Sequence, residues 1–464
     1  MSHVAICGAG VVGLTAALLL AEEGHRVTVL EADGSPVPDD PSTSWDAWGR
    51  TGVAQFHQPH NLFARVRQIV DEELPGLTDR LLEAGGRWIE PLSTMPPSIE
   101  DRAPRPGDER LRWVNARRPV AEAVYARAAR DHPGIEVWRG VRIRGFVAEA
   151  GAGGVPHVRE VVLDDGGRLQ TDLVVDAMGR RSKLAEWVAG LGGDAPHVES
   201  EDSGFVYYTR YFRGPEAPAM FTPALSAMGS FSLLTLLSDN DTWSVTVFGP
   251  SADKALRRLR DATVMERVVR ACPLQAHWFD GGEPIGDVEV MAGVLDKYRR
   301  FVVDDRPVVT GIVAVGDAWA CTNPSAGRGI SIGTIHAQRL RDAVRDGCDD
   351  AESLVLRFDA LTERDVSPFY RNQIRSDRAR IAEMDALRAG EEPPPRDPSV
   401  AALAAAAPRD PDVFRAFLEM LTCLALPEEV MARPGFLAKV QAHAGDPPLV
   451  PPAPDRAELE SLMA

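Results

Sequence analysis

The stretch that most restricts what this chain can become is its beginning, Val4 to Glu31, VAICGAGVVGLTAALLLAEEGHRVTVLE. Val4 to Cys7 reads as a short buried strand, Gly8 to Gly13 as a tight turn, and Leu14 to Glu23 as a helix stopped by Gly24. Arg26 to Leu30 is the returning parallel strand. The three glycines serve different ends. Gly8 turns the chain, Gly10 lets the backbone approach a pyrophosphate, and Gly13 lets helix and strand pack closely. The helix N-terminus, which includes Val12, offers free N–H groups and a positive dipole end to phosphates. Glu31 closes the second strand, where a carboxylate accepts hydrogen bonds from a ribose 2′-hydroxyl and repels a 2′-phosphate. Glycines alone are common; glycines between a strand and a helix, with the acid at this distance, specify a dinucleotide-binding βαβ unit.

At 464 residues the chain exceeds a single hydrophobic core and implies two or three domains. Its net charge of −17 argues against nucleic acid and anionic membrane as partners, since both need clustered Lys and Arg. A first strand beginning at Val4 leaves no room for a cleavable signal, and Val11 to Ala21 reads as a cofactor helix, so a cytoplasmic protein without a membrane span is expected. Cys7, Cys272, Cys321, Cys348 and Cys423 lack CxxC spacing and paired histidines, which suits reduced thiols and predicts no metal.

Residues 33 to 61, rich in Pro, Ser, Asp and Trp, break the βαβ alternation, and Leu62 to Leu74 follows as an amphipathic helix. Val120 to Arg130 is a second helix, opened by Arg117-Arg118-Pro119 with proline in the first turn. From Gly204 the period becomes two: Phe205 to Phe212, Ser230 to Leu237 and Thr242 to Phe248 predict an antiparallel sheet, closed by a helix over Ala252 to Ala271 and a strand over Gly286 to Ala292. Val308 to Val315 is a buried strand ending in Gly316-Asp317, and Gly329 to Arg345 the helix after its Gly-rich loop. Beyond Ser353 the pattern is helical, and the proline-rich tail from Pro447 reads as partly mobile.

Three blocks stand in order: the N-terminal fingerprint, Asp176-Ala-Met-Gly-Arg-Arg-Ser182, and Gly316-Asp317 with Asn323-Pro-Ser-Ala-Gly-Arg-Gly329. The series resembles the FAD-dependent monooxygenases of the aromatic-hydroxylase superfamily, and within it the chain is most similar to the olefin epoxidases of polyether biosynthesis. The likeness runs through Arg50 to His60, Leu74 to Leu82, Arg118-Pro119, Asp172 to Leu191 and Tyr208 to Arg210. It implies an α/β chain with a Rossmann-like FAD-binding domain of the p-hydroxybenzoate hydroxylase type, an inserted antiparallel-sheet substrate domain and a helical C-terminal region. The FAD-binding domain is expected over 1–75, 111–190 and 301–350, a substrate-domain excursion over 76–110, the inserted sheet over 191–300 and the helical region over 351–464.

The resemblance implies FAD as cofactor, with electrons from NAD(P)H directly or through a separate flavin reductase; Met178 before Gly179 departs from the commoner aspartate-glycine pair and leaves nicotinamide docking open. One atom of O2 would be inserted, through a flavin C4a-hydroperoxide, into an alkene or electron-rich aromatic of a small secondary-metabolite substrate. Asp317 can accept hydrogen bonds from ribityl hydroxyls, and Pro324, Gly327, Arg328, Gly329 and Ile330 lay backbone and a helix N-terminus against the ring. Arg118 resembles the arginine beside the FAD pyrophosphate, and Val141 the position whose backbone contacts adenine. Arg50, His57 and His60 are candidates near the flavin and tunnel mouth, Arg50 also for the cofactor. On the substrate face, alternation admits either Tyr207 or the pair Tyr208 and Arg210. A halogenase and a double-bond reductase are the enzyme rivals; the chain lacks the WxWxIP string and tunnel lysine of halogenases, its four lysines being Lys183, Lys254, Lys297 and Lys439. A flavin-fold binding protein without redox chemistry is the third alternative.

Overall fold

The computed structural model describes residues 1–464 apart from 54, 203, 347–349 and 448. Cys348 therefore lies outside the described residues; Cys7, Cys272, Cys321 and Cys423 are buried free thiols.

Runs such as VAIC, LVVD and IVA carry no polar alternation, the mark of parallel strands covered on both faces. They form one parallel sheet in the order Ile312–Ala314, Leu173–Asp176, His3–Cys7, Arg26–Glu31, Ile135–Arg139. Side chains alternate between its faces. Val4 and Ile6 point to the helices Val11–Glu22, Arg118–Asp131 and Gly329–Arg345, whereas Ala5 and Cys7 point to an antiparallel meander of Ile143–Ala150, Pro156–Leu163 and Arg168–Gln170. The fingerprint helix is buried nearly all round, from Gly13 through Ala21, because helices flank it as well as the sheet. Of the expected strand Val308 to Val315, Ile312–Ala314 joins the parallel sheet and Thr310 bridges to His157 instead; Gly311 between them, with φ 72°, sits so close to Val158 that an added Cβ would lie 2.3 Å from its carbonyl oxygen.

The period-two segment forms an antiparallel sheet in the order Leu225–Met228, Phe231–Leu237, Thr242–Pro250, Phe205–Arg213, Glu283–Ala292. One face, with Val206, Tyr208, Phe212, Leu233, Val245 and Val247, packs on helices Ala262–Arg270 and Arg456–Met463. The helix expected over Ala252 to Ala271 is divided at Asp261, whose carboxylate caps the second piece by accepting from Thr263 and Val264 N–H. The C-terminal end departs from a mobile tail. Asp455 and Glu458 form a capping box, and Leu459 and Met463, one helical turn apart, are buried. The other face of the sheet looks across a cleft at the C-terminal ends of the parallel strands, where open α/β sheets bind ligands.

Candidate functional site

The cleft holds about 1070 Å³ of space not filled by atoms, its mouth included. Its base is the fingerprint. Gly8 has φ 112°, and a Cβ there would lie 2.5 Å from the Ala177 carbonyl oxygen; a Cβ on Gly13 would lie 2.1 Å from the Gly8 oxygen. A Cβ on Gly10 would meet nothing within 4 Å, so the absent side chain leaves open space in the cleft. Gly10 caps the helix without a side-chain hydrogen bond, so the first N–H groups face that space unsatisfied. Gly8 and Gly13 are thus required by the protein's own packing, and Gly10 by what enters the cleft.

Behind this base runs a buried chain of charges. Glu31 accepts from Ala9 N–H at 2.8 Å, Asp33 N–H at 2.8 Å and the Arg50 guanidinium. Arg50 also donates to the Ala9 carbonyl at 3.1 Å and to Glu122 at 2.5 Å. Glu122, without solvent exposure, joins Arg50 to Arg118, which donates to it at 2.7 Å. Burial pushes the Glu122 carboxyl up, but the two guanidiniums outweigh it and hold the group below its ordinary range. Arg118 donates through Nη1 to His60 Nε2 at 3.2 Å, and its Nη2 makes no hydrogen bond among the described residues although Arg118 lines the cleft. That group is placed for a phosphate oxygen.

Two loops close the next side. Asp176, fully buried, accepts from Met178 N–H at 2.9 Å and from the Ser182 hydroxyl, organising the turn after its strand. Burial pushes its carboxyl up to about 6. Asp317 lines the cleft directly; burial raises its carboxyl, with Arg118 and Arg180 opposing. Arg299 ties the loops together by donating to the carbonyls of Asp317 at 3.2 Å, Ala318 at 3.0 Å and Arg180 at 3.4 Å. Nothing in the local sequence distinguishes Arg299 from its neighbour Arg300, which pairs with Asp359 instead.

The wall facing these loops is uncharged. Tyr207, Leu234, Thr246 and Met291 come from the antiparallel sheet, Gln58 and Pro59 from the excursion after the second strand. Tyr207 stacks on Phe248 with centroids 4.9 Å apart and donates its hydroxyl to the Asn323 side chain. The structure corrects the expectation for Tyr208 and Arg210. They lie on the opposite face, Tyr208 inside the apolar core and the Arg210 guanidinium 5.7 Å from the Phe212 ring, because alternation allows only the odd-numbered residues of this strand to face the cleft. His60 lines the cleft. Its Nδ1 must donate to the Gln58 carbonyl at 2.8 Å, so Nε2 carries the lone pair that receives Arg118. Burial and the adjacent Arg118 push its pKa down to about 3.

The remaining sequence candidates divide between the cleft lining and positions behind it. Arg50 lies in the charge chain behind it. His57 packs against Trp45, centroids 4.7 Å apart, in an aromatic cluster with Tyr211 that Arg117 covers from 4.6 Å. Val141 donates its N–H to the Glu31 carbonyl at 2.9 Å. Pro324, Gly327, Gly329 and Ile330 line the cleft, while Arg328 turns its side chain away, to Gln373 at 3.1 Å. Sequence reasoning missed Gln58, Thr246 and Met291 and the hub Glu122; only Glu122 had a signal, its i,i+4 spacing from Arg118.

The site is thus a glycine-rich turn at the strand ends of a parallel sheet, roofed by an antiparallel sheet. Residues 3–103 match the family model described as FAD dependent oxidoreductase. Over 371 residues the chain is 29% identical to Protein Rv3254 of Mycobacterium tuberculosis, which covers 74% of this chain and 73% of that protein. Among solved structures it is similar to the flavin-dependent brominase Bmp2, with a TM-score of 0.64 at 16% identity over 95% of this chain and 98% of that one. It is similar also to OxyS anhydrotetracycline hydroxylase from Streptomyces rimosus, with a TM-score of 0.57 at 18% identity over 92% of this chain and 76% of that one. The chain shares the fold of both.

Proposed function

We propose that the protein is an FAD-dependent monooxygenase that transfers one atom of O2 to a neutral, largely apolar small molecule, as an epoxide on an alkene or a hydroxyl on an electron-rich ring. The residues present fit FAD. Gly10 and the helix N-terminus would cradle the pyrophosphate, Arg118 Nη2, without a hydrogen bond among the described residues, would pair with it, and Asp317 and the Pro324–Gly329 loop, which line the same cleft, would hold the ribityl chain and ring. Bound FAD, once reduced, supplies the activation of O2. NAD(P)H would provide the electrons, directly or through a separate reductase.

The chain's own part is to bind, orient and exclude water, and the observation that carries the reading is the chemistry of the ring-side wall. Tyr207, Leu234, Thr246, Met291, Gln58 and Pro59 bear no charge, and the one histidine beside them is held neutral with its lone pair engaged. Such a wall selects a neutral substrate and offers no base to deprotonate a phenol. Among the described lining residues there is no lysine, which supports oxygen transfer over halogenation. The test supplies FAD-loaded protein with NAD(P)H or a reductase, 18O2, bromide and a panel of alkenes and phenols, and follows product mass with oxygen uptake. Product carrying one 18O is expected. Brominated product, product without label, or turnover without oxygen would overturn the proposal.

A further inference from the structure

A second cavity lies behind the Pro324–Arg328 loop, which is a thin partition. Pro324 and Gly327 line the first cleft, whereas Ser325, Ala326 and Arg328 line the second. The antiparallel sheet is a floor common to both. Leu234 in the first cleft is the direct cross-strand partner of Leu225 in the second, and Thr246 and Phe248 are successive same-face residues of one strand. The second cavity holds about 780 Å³ of space not filled by atoms, its mouth included.

Its lining is of two kinds. Phe248, Phe417, Met420 and Leu421 form an apolar wall. Opposite, the helix Ser367–Ala389 and the partition present polar groups with unused capacity. Asp377, 3% exposed, accepts from the Ser325 hydroxyl and the Gln373 amide through Oδ1, while its buried Oδ2 has no partner among the described residues. Arg328 donates to Gln373 through Nε and Nη2, and its Nη1 makes no hydrogen bond among the described residues. Arg380, by contrast, is saturated by the Gly229 and Phe231 carbonyls and Glu383. Asp377 Oδ2 is closed off from the cavity, whereas the unused donor of Arg328, facing an apolar wall, is the lining of a small-molecule site.

We propose that this cavity is a second binding site, for a neutral apolar molecule that carries a hydroxyl or amide along one edge, its oxygen accepting from Arg328 Nη1. Asp377 and Arg328 carry opposite charges, each bonded to Gln373 between them, and the apolar wall takes the body of the ligand. Two sources have that chemistry: the far end of an elongated substrate whose reacting end occupies the first cleft, and a separate molecule.

FAD-loaded protein is titrated with 2-naphthol, followed by its fluorescence, with naphthalene as the counterpart lacking the hydroxyl. Saturable binding of 2-naphthol is expected, weakened about tenfold on removal of the hydroxyl. Ala227→Trp, at an exposed edge-strand position lining the mouth, and Leu421→Trp, on the opposite wall, should each weaken it by about tenfold or more while FAD affinity is unchanged. No saturable binding, or equal affinity in both tryptophan variants, would overturn the proposal. If naphthalene still shifts the flavin absorption band with 2-naphthol saturating, two molecules bind independently; mutual exclusion identifies one elongated ligand. These measurements need neither reductant nor oxygen, so their outcome is separate from that of the oxygen-transfer reading.

Discussion

The two walls of the main cleft are built on opposite electrostatic plans. The wall behind the fingerprint is a line of alternating buried charges, Glu31, Arg50, Glu122 and Arg118, two carboxylates and two guanidiniums that cancel. The wall on the antiparallel sheet holds its shape with stacked rings and neutral hydrogen bonds, such as Tyr207 on Phe248 and Thr209 with Thr246 at 2.8 Å. A neutral set of charges can hold one guanidinium edge rigidly toward an incoming diphosphate while adding little net field, whereas an uncharged wall admits a molecule that has nothing to neutralise. The difference teaches that cofactor and substrate are sorted by wall, and it makes the walls unequally sensitive to substitution.

The largest effect is expected in the charged wall. Glu122→Gln leaves the buried Arg50 with Glu31 alone and the cleft-lining Arg118 without a carboxylate, and should lower unfolding free energy by about 3–5 kcal/mol in denaturant titrations. A loss below about 1 kcal/mol would break the comparison. Gly10→Val comes next and separates folding from binding. Its side chain enters open space, so the melting temperature without cofactor should stay near that of the parent, while FAD affinity falls by about 100-fold or more in a titration of the flavin spectrum. Unchanged affinity would show that no diphosphate lies at Gly10.

A pH experiment sharpens the contrast between buried charges with and without counter-ions. Burial pushes Asp377 up to about 6, so the folded protein holds a proton that the unfolded chain releases between that value and the ordinary 3.8. Stability from this group is therefore lowest at neutral pH, by about 2–3 kcal/mol, and recovers as pH falls through that window. Asp377→Asn should flatten the difference between pH 7 and pH 4 by that amount in paired denaturation curves. Parallel parent and variant profiles would show that Asp377 titrates normally. The smallest effect belongs to the neutral wall. Tyr207→Phe removes one hydrogen bond to Asn323 and should cost about 1–2 kcal/mol of stability. FAD affinity should remain within about threefold of the parent, and a larger change would place the tyrosine against the cofactor rather than the substrate.

Legibility in the sequence followed the range of the interactions. Gly8, Gly10 and Gly13, Asp317 and the helix Gly329–Arg345 are readable because what they do is local, whether a turn, a strand end or a helix start. Glu122 and Arg299 were not, since each joins segments far apart in the chain and resembles any surface Glu or Arg until the partners are known. Alternation could say that Tyr207 and Tyr208 face opposite ways but not which face the cleft takes; that depends on where helix Arg456–Met463 docks. Prolines hid that helix in turn, although its Asp455 to Glu458 spacing was in view.

The parallel sheet has one further consequence, for the order of events at the ribosome. Its strand Ile312–Ala314 pairs only with Leu173–Asp176, so the fully buried valines of that inner strand have an open edge until residues some three hundred positions past the fingerprint have emerged. From Asp176 to Ile312 is about 135 residues, so at translation speeds of about 5–20 residues per second that edge stays unsealed for roughly 7–30 s on every nascent chain. An unpaired apolar edge is a template for mispairing, so growth temperature and chaperone supply should govern the yield of folded protein more strongly than its final stability does.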